Sequence, residues 1–409
     1  MSRYGAERET ATLLERAANI VEGLPRTPDR VLHAIRIYLR LGQAYFRSRG
    51  LTAPQSERAF ARAWALSQES DDAVQLFQAT IGRMAGYIAG ARFDGAGEMA
   101  QHLAGLMQRI PLPQFTFAGH LFIAIAQYHG GSLAQARAHL DQVLEIGELP
   151  QPPAFMNFWV LTLTYVALTL MQQGYPDQAR QRAQQALARA AMESPYVYAT
   201  AASWAVYVSV NARDAGTLAI AAEIAQRAGG ENGELMATAV GSFGNGWLLA
   251  QRGESAAGIT AMQAGIDALR ATGQVTSLPA MMTTLAEACA HAGDLDEAVR
   301  RIAETQAFIH SSGEIRFAAE AYRVEGEMHR ARNDFAAAQR AFARALEIAR
   351  AQGARWWELR ATVSQARLLQ QQGKRAAARR ALAPIVGAIT EGDDSPDVCA
   401  ARKLLAALA

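Results

Sequence analysis

Four alanines, Ala257, Ala298, Ala338 and Ala378, stand 41, 40 and 40 residues apart, and each opens a helical pattern after the same kind of turn. The turns read Gly253-Glu-Ser-Ala-Ala257, Gly293-Asp-Leu-Asp-Glu-Ala298, Asn333-Asp-Phe-Ala-Ala-Ala338 and Gly373-Lys-Arg-Ala-Ala-Ala378. Earlier copies are Gly131-Ser-Leu-Ala-Gln-Ala136 and Gly174-Tyr-Pro-Asp-Gln-Ala179, with weaker ones near Ala59, Ala96 and Ala219. Glycine or asparagine at the end of a helix accepts the left-handed conformation that closes it. Asp294 and Asp334 are then placed to accept the orphan N–H groups of the next helix. The small alanine lies where two helix backbones converge. A repeat of this kind constrains the chain to a row of helical hairpins, each burying its apolar face against the next. It also accounts for the length: 409 residues exceed what one ordinary core supports, whereas a solenoid grows by addition.

The clearest unit runs from Phe317 to Gln352, with Tyr322, Gly326, the Asn333-Asp334-Phe335 turn, Ala338, Phe342 and Ala345. This alternation of small and large positions matches the tetratricopeptide pattern, whose period is about 34 residues; the longer spacing here lengthens the paired helices or their link. A HEAT-type array suits a period of about 40–47, but the Gly, Ala, Phe, Ala order favours the tetratricopeptide form. About a fifth of the residues are alanine, the best helix former. The expected fold is all-α: a tetratricopeptide-like α-solenoid of about nine helical hairpins forming a single superhelix over residues 1–409. A helix over about residues 6–23 precedes the hairpins, and a capping helix from Ser395 to Leu408 covers the last one. Hinges are expected near 150–153, where Gln151 is followed by two prolines, and near 229–233, which reads Gly-Gly-Glu-Asn-Gly.

Composition excludes several function classes. Forty basic and 38 acidic residues leave a net charge of +2, too little to steer the whole chain onto nucleic acid or an anionic membrane. Cys289 and Cys399 form no disulfide framework, and the Met-Ser-Arg-Tyr start has no apolar signal region, so a cytoplasmic location is expected. The longest apolar run, Phe155 to Met171, is broken by Asn157 and several threonines, and reads as a buried solenoid helix rather than a membrane span.

Several segments together resemble a known group: Tyr175-Pro-Asp-Gln-Ala179, Gly246-Trp-Leu-Leu-Ala-Gln-Arg-Gly253, Trp357-Glu-Leu-Arg-Ala361, Gln372-Gly-Lys-Arg375 and Thr390-Glu-Gly-Asp-Asp-Ser-Pro-Asp397. In their order and spacing they resemble the C-terminal tetratricopeptide region of bacterial multidomain regulators. Those regulators join a class III nucleotide cyclase and an AAA-type ATPase to a helical sensor, and LuxR-type activators carry similar solenoids. The resemblance implies a bacterial regulatory sensor or scaffold. It implies no catalytic residue, because the repeats here carry no cyclase or ATPase sequence.

The residues themselves point the same way. Gly373-Lys374 is followed by Arg375 and lacks the earlier glycine of a phosphate-binding loop. There is no His-Glu-x-x-His and no Cys-x-x-Cys, and Cys289 and His291 do not converge on a helix, so no metal site is expected. Gly241-Ser-Phe-Gly-Asn-Gly246 follows no strand and reads as close helix packing, with Trp247 in the core. Of the pair Trp356 and Trp357, one ring is expected to be buried and the other partly exposed. Lys374, Arg375, Arg379 and Arg380 cluster without interleaved aromatics, and acidic residues follow, so they read as a solvated face rather than a nucleic-acid site. No catalytic residue, cofactor or metal is expected, and neither a nucleic-acid nor a membrane partner.

Function is therefore expected to be recognition of a protein or peptide, acidic in character, in a concave groove lined by the first helix of each hairpin. Register places Glu320, Arg323, Glu327 and Arg330 on the groove side of one helix, and Arg360 and Arg367 on the next. Four guanidinium forks there suit carboxylates. Tyr128, Trp204 and Asn211 fall on the groove side of the middle repeats, and a small-molecule effector is the alternative occupant. The pairs Glu320–Arg323, Arg323–Glu327 and Glu327–Arg330 also have the spacing of simple surface ion pairs, which need no ligand.

Overall fold

The computed structural model describes residues 3–50, 52–150, 157–232 and 234–409. Twenty α-helices and no strand occur among the described residues. A first helix, α1 (Arg3–Gly23), stands ahead of nine hairpins. These are α2 (Pro28–Arg49) with α3 (Pro54–Ser67), α4 (Ala73–Ala89) with α5 (Phe93–Arg109), and α6 (Pro113–His129) with α7 (Leu133–Ile146). Next come α8 (Phe158–Gln173) with α9 (Pro176–Ala190), α10 (Pro195–Ala212) with α11 (Ala215–Asn232), and α12 (Leu235–Gln251) with α13 (Ser255–Ala271). The last three are α14 (Leu278–His291) with α15 (Leu295–Ser312), α16 (Ala318–Ala331) with α17 (Phe335–Gln352), and α18 (Arg355–Gln371) with α19 (Arg375–Ala388). The terminal helix is α20 (Pro396–Ala407). The architecture is the tetratricopeptide-like α-solenoid that the repeat predicts.

The turn chemistry is as the repeat requires. Gly293 takes φ 90° and Asn333 φ 60°, and the other four repeat turns also lie in the left-handed region. Asp294 accepts from the Glu297 amide and Asp334 from the Ala337 amide, each capping the helix that follows. Close approach explains the small positions: a Cβ at Gly326 would lie 2.4 Å from the Phe342 ring. The Gly241–Gly246 stretch is packed as expected, since a Cβ at Gly246 would meet the Met262 amide at 2.7 Å. Trp247 beside it is buried.

Two compact units make up the chain. Unit 1 comprises Met1–Ala126, Asp141–Pro150 and Arg270–Thr276, and unit 2 comprises Gln127–Leu140, Gln151–Leu269 and Ser277–Ala409. The hinge expected near 150–153 falls on residues that, apart from Pro150, lie outside the described ones. In the other, residues 229–232 complete α11 and Gly233 lies outside. In unit 1, Val21, Ile35, Leu39, Phe60 and Leu66 form a core, and the 270–276 segment is tied on by a bond from the Val275 amide to the Ala89 carbonyl at 2.8 Å.

In unit 2 the first helices of successive hairpins pack on one another: α8 on α10, α10 on α12, α12 on α14, α14 on α16 and α16 on α18. Helix α18 then returns to touch α8, so these helices are enclosed by their own neighbours. A helix that is apolar all round needs such an enclosure. That is the role of the long apolar run, in which residues 162–172 of α8 are buried without a break. No helix among the described residues is long and apolar enough to cross a membrane. The enclosure also corrects the reading of the tryptophan pair. Both Trp356 and Trp357 are buried, because α18 has neighbours on two sides: Trp356 donates to the Asn211 carbonyl of α10, and Trp357 stacks on Phe317.

The loop after α19 completes a distant helix. Glu391 accepts from the Asp177 and Gln178 amides at the start of α9, both at 3.1 Å. The Gly392 amide donates to the Asp177 carboxylate at 2.9 Å, and Arg180 pairs with Asp394 at 3.3 Å. These contacts close unit 2 from the outside.

Candidate functional site

The interior of unit 2 carries two polar constellations. The first is an ion network built from α14, α16, α18, α20 and the end of α10. Arg323 donates to Glu320 through Nε at 2.9 Å and a terminal nitrogen at 2.8 Å, and to Glu287 at 2.5 Å. Arg360 donates to Glu320 at 3.0 Å, to the Asn211 carbonyl at 2.7 Å, and to one Asp397 oxygen at 2.8 and 2.7 Å. Arg213 donates to Glu287 at 3.0 Å and lies 3.5 Å from Asp397. Three guanidiniums thus face three carboxylates; Arg213 and Glu287 are half-buried and the other four are buried.

The charges govern one another. Burial opposes ionisation of Glu287, yet Arg213, Arg323 and Arg360 hold its carboxyl well below the usual range. Asp397 behaves likewise: Arg360 and Arg213 lower it against the cost of burial. Removing any one member therefore leaves another buried charge uncompensated.

The second constellation surrounds Arg316 in the short link before α16. Arg316 donates to Glu314 at 3.1 Å, to Tyr128 Oη at 3.3 Å and to Ser277 Oγ at 2.6 Å. Both Glu314 oxygens accept from the Ser277 amide, at 3.1 and 3.0 Å. These bonds hold Ser277 in a left-handed conformation, φ 69°, that a non-glycine residue resists. His129 lies with Nδ1 3.0 Å from Glu314 and Nε2 3.0 Å from Tyr165 Oη. The neutral ring satisfies both when Nδ1–H donates to Glu314 and Nε2 accepts from Tyr165. Gln172 donates to Tyr128 Oη at 3.2 Å, and Trp204 stacks between Tyr165 and Tyr207 with ring centroids 5.5 Å from each.

Burial drives the His129 imidazolium down to about 4, overriding the pull of Glu314, and pushes the Tyr128 hydroxyl up to about 12. A depressed histidine contributes stability above its unfolded value, near 6.5, and loses it as pH falls toward about 4. The chain is therefore expected to melt at progressively lower temperature between these two pH values. Glu234, pushed up to about 7 by burial, works in the opposite direction, so the readout is the difference between wild type and His129→Gln. His129→Gln should flatten the acid limb of the melting curve; parallel curves for the two proteins would refute this assignment.

The structure distributes the residues expected at a partner site as follows. Arg323 and Arg360 are buried in the ion network, and Asn211 is buried with its carbonyl on Arg360 and Trp356. Glu327 and Arg330 are half-buried and pair with each other at 2.7 Å, and Arg367 is exposed. Tyr128 is fully buried and Trp204 half-buried in the Arg316 constellation. The sequence reading missed Glu287, Asp397, Arg213, Glu314, Arg316, His129 and Tyr165. One signal was available for two of them: Gly313-Glu-Ile-Arg316 puts opposite charges in a short link between two amphipathic helices. No group of His, Cys, Asp and Glu suited to a metal occurs among the described residues.

No family model and no curated sequence matches the chain. Solved structures similar in fold include a Rap protein complexed with competence and sporulation factor, at a TM-score of 0.65 and 13% identity, covering 86% of this chain and 94% of that one. Aspartyl phosphate phosphatase F from Bacillus subtilis gives 0.48 and 11%, covering 89% and 94%. A signal transduction ATPase with numerous domains and a tetratricopeptide repeat sensor, from Pyrococcus horikoshii, gives 0.46 and 13%, covering 92% and 55%. At such identities the likeness is one of fold.

Proposed function

We propose that this chain is a non-catalytic recognition module, a scaffold or regulatory sensor, in which the first-helix face of unit 2 takes up an acidic segment of a protein partner. The observation that carries the reading is Asp397. The terminal helix α20 delivers this carboxylate to Arg360, with Arg213 close by. A side chain from the end of the chain thus occupies guanidiniums that suit a partner's carboxylate. In this reading Asp397 holds the partner's place. Arg323 and Arg360 are the inner cations, Arg330 and Arg367 the outer ones, and Glu327 orients Arg330. Asn211 borders the same site through its carbonyl on Arg360, whereas Tyr128 and Trp204 belong to the separate Arg316 constellation. The Rap protein of similar fold is itself found in a complex, with competence and sporulation factor.

A small-molecule effector is less well supported. The cavity lined by Asn211, Arg213, Trp247, Thr284, Glu287 and Arg360 holds about 10 Å³, room for one water.

The test uses the full chain with labelled peptides of equal length, one rich in Asp and Glu and one neutral. The acidic peptide is expected to bind, and Asp397→Asn to strengthen its binding by removing the charge that competes for Arg360. The double variant Arg323→Ala with Arg367→Ala is expected to weaken it at least about tenfold. Equal binding of both peptides, or full binding by the double variant, defeats the reading.

A further inference from the structure

Unit 1 contains a separate cleft of about 210 Å³. Phe60 lies on its floor, Glu57, Arg58 and Ala61 of α3 form one side, and Gly82, Arg83, Gly86 and Tyr87 of α4 form the other, with Arg92 at the end. The arginines are set on aromatic rings. The Arg83 guanidinium lies 4.5 Å from the Trp64 ring centroid and 5.5 Å from that of Tyr87, and Arg92 lies 4.8 Å from Tyr87 on its own account. Stacking fixes the plane of a guanidinium and leaves its edge donors available.

The charge is unbalanced. Three arginines meet one carboxylate, Glu57, and that carboxylate is paired with Arg92. Arg83 donates to Tyr87 Oη at 2.6 Å, one bond from a group with five N–H donors. Arg58 is exposed beside it. Size adds a further constraint. A cavity of about 150 Å³ holds benzene, so this cleft has room for one flat ring and a small charged group. The ring has Phe60 and Tyr87 to pack on, and the absence of side chains at Gly82 and Gly86 leaves the α4 wall low. At Gly82 that absence is enforced, since a Cβ there would lie 2.3 Å from the Phe60 ring.

We propose that this cleft is a binding site for a small planar anion, a single ring bearing a phosphate or carboxylate, with the oxyanion held by Arg58 and Arg83. The site lies wholly within unit 1 and shares no residue with the partner face of unit 2, so the two readings stand or fall separately.

Calorimetric titration of the full chain with phenyl phosphate, benzoate and inorganic phosphate tests it. At least one ring-bearing probe is expected to bind saturably, about tenfold or more tighter than inorganic phosphate. Phenyl phosphate ahead of benzoate assigns a phosphate ligand, and the reverse order a carboxylate. Arg83→Gln and Arg58→Gln are each expected to weaken the better probe at least about tenfold. Arg58 is exposed, so its variant folds even where Arg83→Gln disturbs the stacking. Absence of saturable binding by either ring-bearing probe overturns the proposal, as does wild-type affinity in the Arg58→Gln protein.

Discussion

Replacing Arg316 by alanine is expected to destabilise unit 2 by about 3–5 kcal/mol, the cost of leaving a buried charge without its partner. The stranded group is Glu314, fully buried and otherwise held by the Ser277 amide and His129. Three further groups lose a donor or a packing surface: Tyr128 Oη, Ser277 Oγ and the Phe317 ring, over which the guanidinium lies at 4.9 Å. Removing both charges with Arg316→Met and Glu314→Gln should recover a large part of the loss, because a buried pair is often replaceable by groups of similar volume. Urea unfolding followed by circular dichroism measures both variants. A single variant as stable as wild type, or a double variant no better than the single, would show that the charge pair is not what holds this link in place.

Phe342→Ala is the other large effect, expected at about 3–5 kcal/mol for emptying a buried aromatic site. The ring is fully buried and fits against Gly326, where an added Cβ would lie 2.4 Å away. Gly326→Ala is therefore expected to destabilise as well, by overpacking, at about 1–3 kcal/mol. The two defects are complementary in shape. In the double variant the new methyl occupies part of the vacated space, so the combined loss should fall short of the sum of the single losses. Strict additivity would mean that the glycine and the ring do not share one packing site.

The same two residues show what the sequence makes legible. Gly326 and Phe342 lie within one hairpin, so their meeting follows from helical periodicity and the turn at Asn333. The caps at Asp294 and Asp334 are equally local, and the intervals between Ala257 and Ala378 count the hairpins. The ion pairs Glu320–Arg323 and Glu327–Arg330 were readable from spacing alone. What spacing does not give is the partner of Arg360. Its bonds go to Asp397 on the terminal helix and to the Asn211 carbonyl on α10, 149 residues away. Those contacts depend on how far each hairpin rotates relative to the last, a quantity summed over five hairpins from α10 to α18. Small per-repeat angles that leave no trace in any one repeat decide whether α18 returns to α8. For the same reason Asp397 reads in the sequence as part of a helix start and in the structure as the counter-ion of an arginine.

The bond from Glu391 to the first turn of α9 changes how this solenoid comes apart. Linear arrays unravel from their ends, since each repeat depends only on the next. Here the carboxylate that finishes α9 is supplied from 214 residues downstream, so that helix has one terminus contributed by the far end of the array. A nick or truncation before Glu391 would loosen the middle of the chain along with its tail. Unit 2 is thus wired as a loop rather than a row, and amides at the start of α9 should exchange with solvent on the same timescale as those of α19 and α20.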